Sequence, residues 1–284
     1  MKKTFAKIAA AFMAFALMLT CFASCGAKNT KVKVIDLPLS SEEYAFAVAK
    51  GEDAFLKQVN DFLKEIKDNG KFDEICNNYF GDGTPVTFKS ATLDTSKDQL
   101  VVATSTGFEP FEMVDQEGNY SGVDLEIAYE LAKKLNKELV IQDMDFDAVV
   151  NSVQTGVCDI GMAGLSVTPD RQKVVTFSDS YYNASQVVIT MEDDTTFDAC
   201  KKGEDVAAIL KALDASNKIG CQAGTTGELY IKGDEDYGFD KLTAEAAPYK
   251  YVALAITAMQ QGQVKYVIAD NGPAKAIAAK LNAQ

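Results

Sequence analysis

From Leu100 onward, short runs of apolar residues alternate with longer stretches in which apolar residues recur every three or four positions. Such alternation produces an α/β architecture, with helices covering sheets. Strands are expected at Leu100–Thr104, Leu139–Gln142, Cys158–Ala163, Val187–Thr190, Lys218–Gln222 and Lys265–Ala269. Helices are expected where Leu125, Ala128, Leu131 and Leu135 align behind Gly122-Val123-Asp124, and again at Phe146–Val153, Val206–Leu213 and Tyr251–Gln261. Asp124 is positioned to cap the first of these. Another helix follows the Gly224-Thr225-Thr226-Gly227 turn, and a last one closes the chain. Ahead of Leu100, Val32–Leu37 reads as a strand. Glu52–Lys67 reads as an amphipathic helix carrying Phe55, Val59, Phe62, Leu63 and Ile66, ended by Asn69-Gly70. The stretch 82–98, rich in Gly, Pro, Thr, Ser and Asp, reads as a linker.

The 284 residues suffice for two modest domains. A formal net charge of −13 argues against nucleic acid and anionic lipid surfaces as partners. Residues 1–24 have the form of an export signal: Lys2, Lys3 and Lys7, then an uncharged apolar run from Ile8 to Leu19, too short to span a bilayer, then small residues. Cys25 directly follows Ala23-Ser24, as in a bacterial lipoprotein box, with Phe22 where leucine is usual. Cys25 is therefore the expected lipidation point and Cys21 the alternative, with residues 25–31 a tether. Cys76, Cys158, Cys200 and Cys221 are spaced too widely for a zinc pattern. The chain has no histidine, which removes Ser-His-Asp and Cys-His catalysis and histidine-ligated metals. No metal and no cofactor is expected.

Of the 28 basic residues, Arg171 is the only arginine. Its planar fork grips a carboxylate through two parallel hydrogen bonds, as an ammonium cannot. The alternative is a surface ion pair, which lysine would serve equally well.

The setting of Arg171 carries a resemblance. Val102-Ala103-Thr104 leads to Phe108-Glu109-Pro110-Phe111 and Gly122-Val123-Asp124. Then come Met144-Asp145-Phe146, the Ala163–Arg171 segment, Phe177-Ser178 to Tyr182, Gly224-Thr225-Thr226 and Ile268-Ala269-Asp270. In that order, residues 99–284 resemble the polar amino-acid-binding family of solute-binding proteins that serve ABC transporters (family 3, type II periplasmic-binding-protein fold). The resemblance implies two α/β lobes joined by two crossing strands, with ligand in the cleft between them.

The order departs from the family. Its closing segment resembles Tyr44–Gly51, the following helix and Asn77–Gly81, which here come first. The chain thus looks circularly permuted, with 82–98 joining the former termini. The alternative is a duplicated helical fragment. Permutation implies lobe one at 49–185 and lobe two at 190–284 plus 32–44, with crossings near 44–48 and 185–189. It also requires the end of the chain to lie beside Val32.

For the site, the resemblance implies that Arg171 takes a ligand carboxylate, aided by the helix start at Thr225 and Thr226. Asp270 receives the ammonium. Ala163 and Gly164 offer backbone groups and Ser166 a hydroxyl. Phe108 and Phe146 stack on the ligand side chain, with core packing as their alternative. Ser105, where relatives that bind cationic side chains often have an acid, leans towards a neutral polar amino acid, and Gln222 could hydrogen-bond the side chain. The implied protein is a monomeric, non-enzymatic receptor on the extracellular face of the membrane or in the periplasm, serving an ABC permease. Alternatives are an amino-acid sensor without transport and a dehydratase-type enzyme on the same scaffold.

Overall fold

The computed structural model describes residues 30–283. The export signal at 1–24, the lipidation point at Cys25 and most of the 25–31 tether lie outside the described residues.

Two five-stranded sheets organise the described chain, with β5 (Met113–Val114) and β6 (Tyr120–Ser121) forming a small antiparallel pair of their own. The first has the order β7-β4-β8-β3-β9, where β3 is Ala47–Ala49, β4 Gln99–Thr104, β7 Glu138–Asp143, β8 Ile160–Gly161 and β9 Val175–Phe177. β4 runs parallel to β7 and β8, while β3 is antiparallel to β8 and β9. Helices α1 (Asp53–Asp68), α2 (Lys71–Phe80), α3 (Val123–Leu135) and α4 (Phe146–Gln154) belong to this lobe. Val59, Phe62, Leu63 and Ile66 of α1 share a core with Leu100 and Val102 of β4 and Leu125 and Leu131 of α3. Their helical spacing is what put them on one buried face.

The second sheet has the order β1-β11-β14-β12-β13: β1 Val32–Ile35, β11 Gln186–Met191, β12 Lys218–Gln222, β13 Glu245–Tyr249 and β14 Tyr266–Asp270. Its helices are α6 (Gly203–Lys211), α7 (Thr226–Lys232), α8 (Val252–Gln260) and α9 (Asn271–Asn282), α5 being the short helix Pro169–Val174 of the first lobe. β13 is absent from the sequence expectations because Pro248 interrupts it. Its edge position tolerates a residue with no N–H to donate.

The chain passes between the sheets twice, between β2 (Glu42–Tyr44) and β3, and between β10 (Tyr182–Ala184) and β11; β2 and β10 pair antiparallel at the junction. The two ends of the described chain meet. Asn282 accepts the Val32 N–H at 2.9 Å and donates to the Val32 carbonyl at 2.7 Å.

Asp124 is not the cap of α3. Gly122 holds the N-cap position, and Asp124, the second residue of the helix, is buried in its first turn. There it accepts the Gly164 N–H at 2.9 Å and the Tyr181 hydroxyl at 2.6 Å.

Candidate functional site

The Ala163–Arg171 segment leaves β8 and turns at Gly164, whose positive φ of 55° suits glycine. A Cβ there would lie 2.7 Å from the Phe108 ring, so the aromatic sits directly on this backbone. Thr168 then caps α5, accepting the Arg171 N–H at 3.2 Å, with Pro169 in the first turn. This cap fixes the base of the Arg171 side chain.

Arg171 reaches across the two lobes. Its Nη1 donates to the Ser166 carbonyl at 2.6 Å and its Nη2 to the Gly224 carbonyl at 3.0 Å. The guanidinium lies 5.2 Å from the centre of the Phe146 ring, within cation–π range. Burial pulls its pKa down, while Glu42 and Asp270 pull it back up. Gly224 is required at its position: φ is +75°, and a Cβ would meet Asp147 of the other lobe at 2.9 Å.

Opposite Arg171 lie two buried acids. Asp270, at the end of β14, accepts the Tyr44 hydroxyl at 2.7 Å and is 4% exposed. Burial, and then the neighbouring Glu42 carboxylate, push it up to about 7. Glu42 is 3% exposed and accepts the Ser166 hydroxyl at 2.6 Å and the Thr226 hydroxyl at 2.7 Å on the same oxygen. Gln186 completes the cluster, donating to Thr226 at 2.9 Å.

The structure thus brings Arg171, Ser166, Gly164, Phe108 and Phe146 of one lobe against Asp270 and Thr226 of the other. Phe108 is also part of the first lobe's core, 4% exposed rather than set in an open turn. Phe146 and Ala163 are buried in a second cluster of that lobe. One expectation is corrected. The Gly164 N–H is committed to Asp124, so Gly164 has no N–H to offer. The Thr225 hydroxyl donates to the Gln222 carbonyl at 2.8 Å, a local bond, and the helix after it has only seven residues. Ser105 and Gln222 are both buried, and Ser105 Oγ and Gln222 Oε1 have no hydrogen-bond partner. A buried polar atom without a partner is costly. Where Phe146 and Asp147 face Ala223, Pro248 and Tyr249, a cavity of about 260 Å³ opens between the lobes.

Sequence reasoning missed Glu42, Tyr44 and Gln186. Glu42 sits in Ser40-Ser41-Glu42-Glu43, which reads as a solvated run. The one available signal was the alternation of Glu42 with Tyr44 on a strand, which turns both to the same side.

Residues 100–261, more than half of the chain, match the family of bacterial extracellular solute-binding proteins, family 3. The chain belongs to that family. Among curated relatives of this solute-binding protein, the arginine-binding extracellular protein ArtP of Bacillus subtilis (strain 168) is 33% identical over 51% of this chain and 52% of its own length. A probable histidine-binding protein of Neisseria gonorrhoeae is 29% identical over 60% of this chain and 58% of its own. The chain therefore spans between half and three fifths of the length of these relatives. Among solved structures, an ancestral amino acid-binding protein described as a precursor of cyclohexadienyl dehydratase is 31% identical, with a TM-score of 0.54 over 65% of this chain and 75% of that one. The two-lobed α/β periplasmic-binding-protein fold is common to both.

Proposed function

We propose that this protein binds a free amino acid between its lobes and delivers it to an ABC-transporter permease, held to the outer face of the membrane by a lipid on Cys25. One observation carries the reading. A lone arginine, bonded to backbone carbonyls of both lobes, stands in a cleft with a buried aspartate from the far lobe. An amino acid carries one anionic and one cationic group, and this cleft has a partner for each. Ligand contacts made with both lobes favour the closed state by their differential affinity.

The side chain of the ligand is neutral and polar in this reading. Ser105 is not an acid, and the unpartnered oxygens of Ser105 and Gln222 would receive hydroxyl or amide groups. A cationic ligand is the second reading, favoured by the relatives named for arginine and histidine. The relatives' names are those of binding proteins, in keeping with a receptor rather than an enzyme. A permuted order belongs to the same proposal. It is supported by the pairing of Val32 with Asn282 and by the position of β3, from the front of the chain, inside the first lobe's sheet.

A thermal-shift screen of the protein against the twenty common amino acids tests the reading. A ligand at 100 times its Kd adds about 2.7 kcal/mol of stability. Glutamine, asparagine, serine or threonine is expected to give the largest shift. Arginine or histidine giving it instead selects the second reading, and no shift with any amino acid removes both.

A further inference from the structure

Glu42 has a position that the ligand-binding reading does not itself require. It lies where the chain crosses between lobes, and its backbone is held there. Ala45 N–H donates to Leu165 O at 3.1 Å and Val167 N–H to Glu43 O at 3.0 Å, so residues 42–45 run antiparallel to the Ser166 segment. Three hydroxyls converge on the Glu42 carboxylate: Ser40 on Oε1 at 2.6 Å, and Ser166 and Thr226 on Oε2 at 2.6 and 2.7 Å. These are the lengths of charge-assisted O–H···O bonds.

A hydroxyl has one proton to donate and two lone pairs. With their protons directed to Glu42, Ser166 and Thr226 have only lone pairs left. Thr226 uses one to accept from Gln186 Nε2. The remaining ones can meet a donor but not a carboxylate. We propose that Glu42 is a positioning residue: by taking the hydroxyl protons of Ser166 and Thr226, one from each lobe, it turns both oxygens into acceptors for the ligand's ammonium beside Asp270. The proposal rests on the reading of this cleft as an amino-acid site. It divides the ligand's two ends, leaving the carboxylate to the guanidinium of Arg171. It also makes a free, protonated amine a condition of binding.

The charged and titratable groups around Asp270 are Glu42, Arg171, Tyr44, Glu112, Tyr182 and Tyr237. Burial first, and then Glu42 as the largest charge acting on Asp270, hold the proton on that group towards neutral pH. An incoming ammonium must displace that proton. Affinity should therefore fall as pH drops through about 7.

The test is titration calorimetry on the full chain between pH 5 and 8.5, with L-glutamine, L-asparagine, L-serine, L-threonine, L-arginine and L-histidine as probes. Glu42→Gln is expected to weaken the tightest of these about 10- to 100-fold, the scale for a lost bond to a charged group. It should also move the pH midpoint of binding in the acid direction. Glu42→Asp, which keeps the charge, should leave the midpoint near its wild-type value. Ser166→Ala, which keeps the acid in place, should weaken the amino acid but not the competition by its deaminated counterpart. This second arm stands if Glu42→Gln fails to fold. Unchanged affinity and midpoint in Glu42→Gln, or a loss of affinity with no movement of the midpoint, overturns the proposal. So does Ser166→Ala weakening amino acid and deaminated counterpart alike, since the hydroxyl would then serve the carboxylate. Failure of the wild-type protein to bind any of the six removes the functional reading and this proposal together; a Glu42→Gln profile that matches wild type in affinity and midpoint removes this one alone.

Discussion

The cleft closes in different ways at its inner end and at its rim. At the inner end, Glu42, Asp270, Ser166 and Thr226 are each less than 5% exposed, and short hydrogen bonds tie Asp270 to Tyr44 and Glu42 to Ser166 and Thr226, all of them buried. At the rim, Lys280 meets Glu109, Lys250 meets Asp145 at 2.8 Å and Lys173 meets Asp236 at 3.2 Å, each pair joining one lobe to the other. The rim lysines are more than half exposed. Both ends span the same gap, but water screens one and not the other. Counting bridges would rank the rim first; burial ranks the inner end first.

The largest expected effect is at the inner end. Arg171→Ala should weaken ligand binding by roughly 2–5 kcal/mol, the scale for orphaning a buried charge. Arg171→Lys should recover little of it, because an ammonium cannot grip a carboxylate bidentately. Calorimetry showing wild-type affinity in either variant would erase the contrast between the two ends.

Next comes pH. Folded Asp270 keeps its proton up to about 7, above the 3.8 of an ordinary aspartate. Between those values the folded chain binds more protons than the unfolded one, so this group's contribution to stability falls as pH rises through the window. Asp124, pushed up to about 6 by burial, acts with the same sign. The ligand-free protein should therefore gain melting temperature from pH 8 to pH 5.5. Asp270→Asn should flatten that gain and bind amino acids more weakly at every pH. A wild-type melting temperature that is level or rises towards pH 8 would count against the inner acids as the source.

The smallest effect is at the rim. Lys280→Ala should leave affinity within about twofold of wild type, and added salt should erase what difference there is. A larger, salt-resistant loss would mean that the rim shares the work of closure.

Much of this arrangement was legible in the sequence because it depends on local pattern. The face of α1 followed from Val59, Phe62, Leu63 and Ile66, and the β-branched runs gave β4, β11 and β14. Arg171 drew attention by being the sole arginine, and its cap is written in Thr168-Pro169. Glu42 was not legible, since its environment comes from hydroxyls 124 and 184 residues away. Asp124 was misread for a similar reason. A helix-start aspartate ordinarily caps, but the Gly164 amide and the Tyr181 hydroxyl draw this one inward.

The bond between Asn282 and Val32 has a practical consequence. Dyes attached at the two ends of the folded body would ride on one rigid piece and report nothing when the cleft opens. Moving one dye into the 82–98 stretch, which is joined to the other lobe through Phe88 and Tyr120, would put the moving gap between them and turn the molecule into an optical gauge of its own closure.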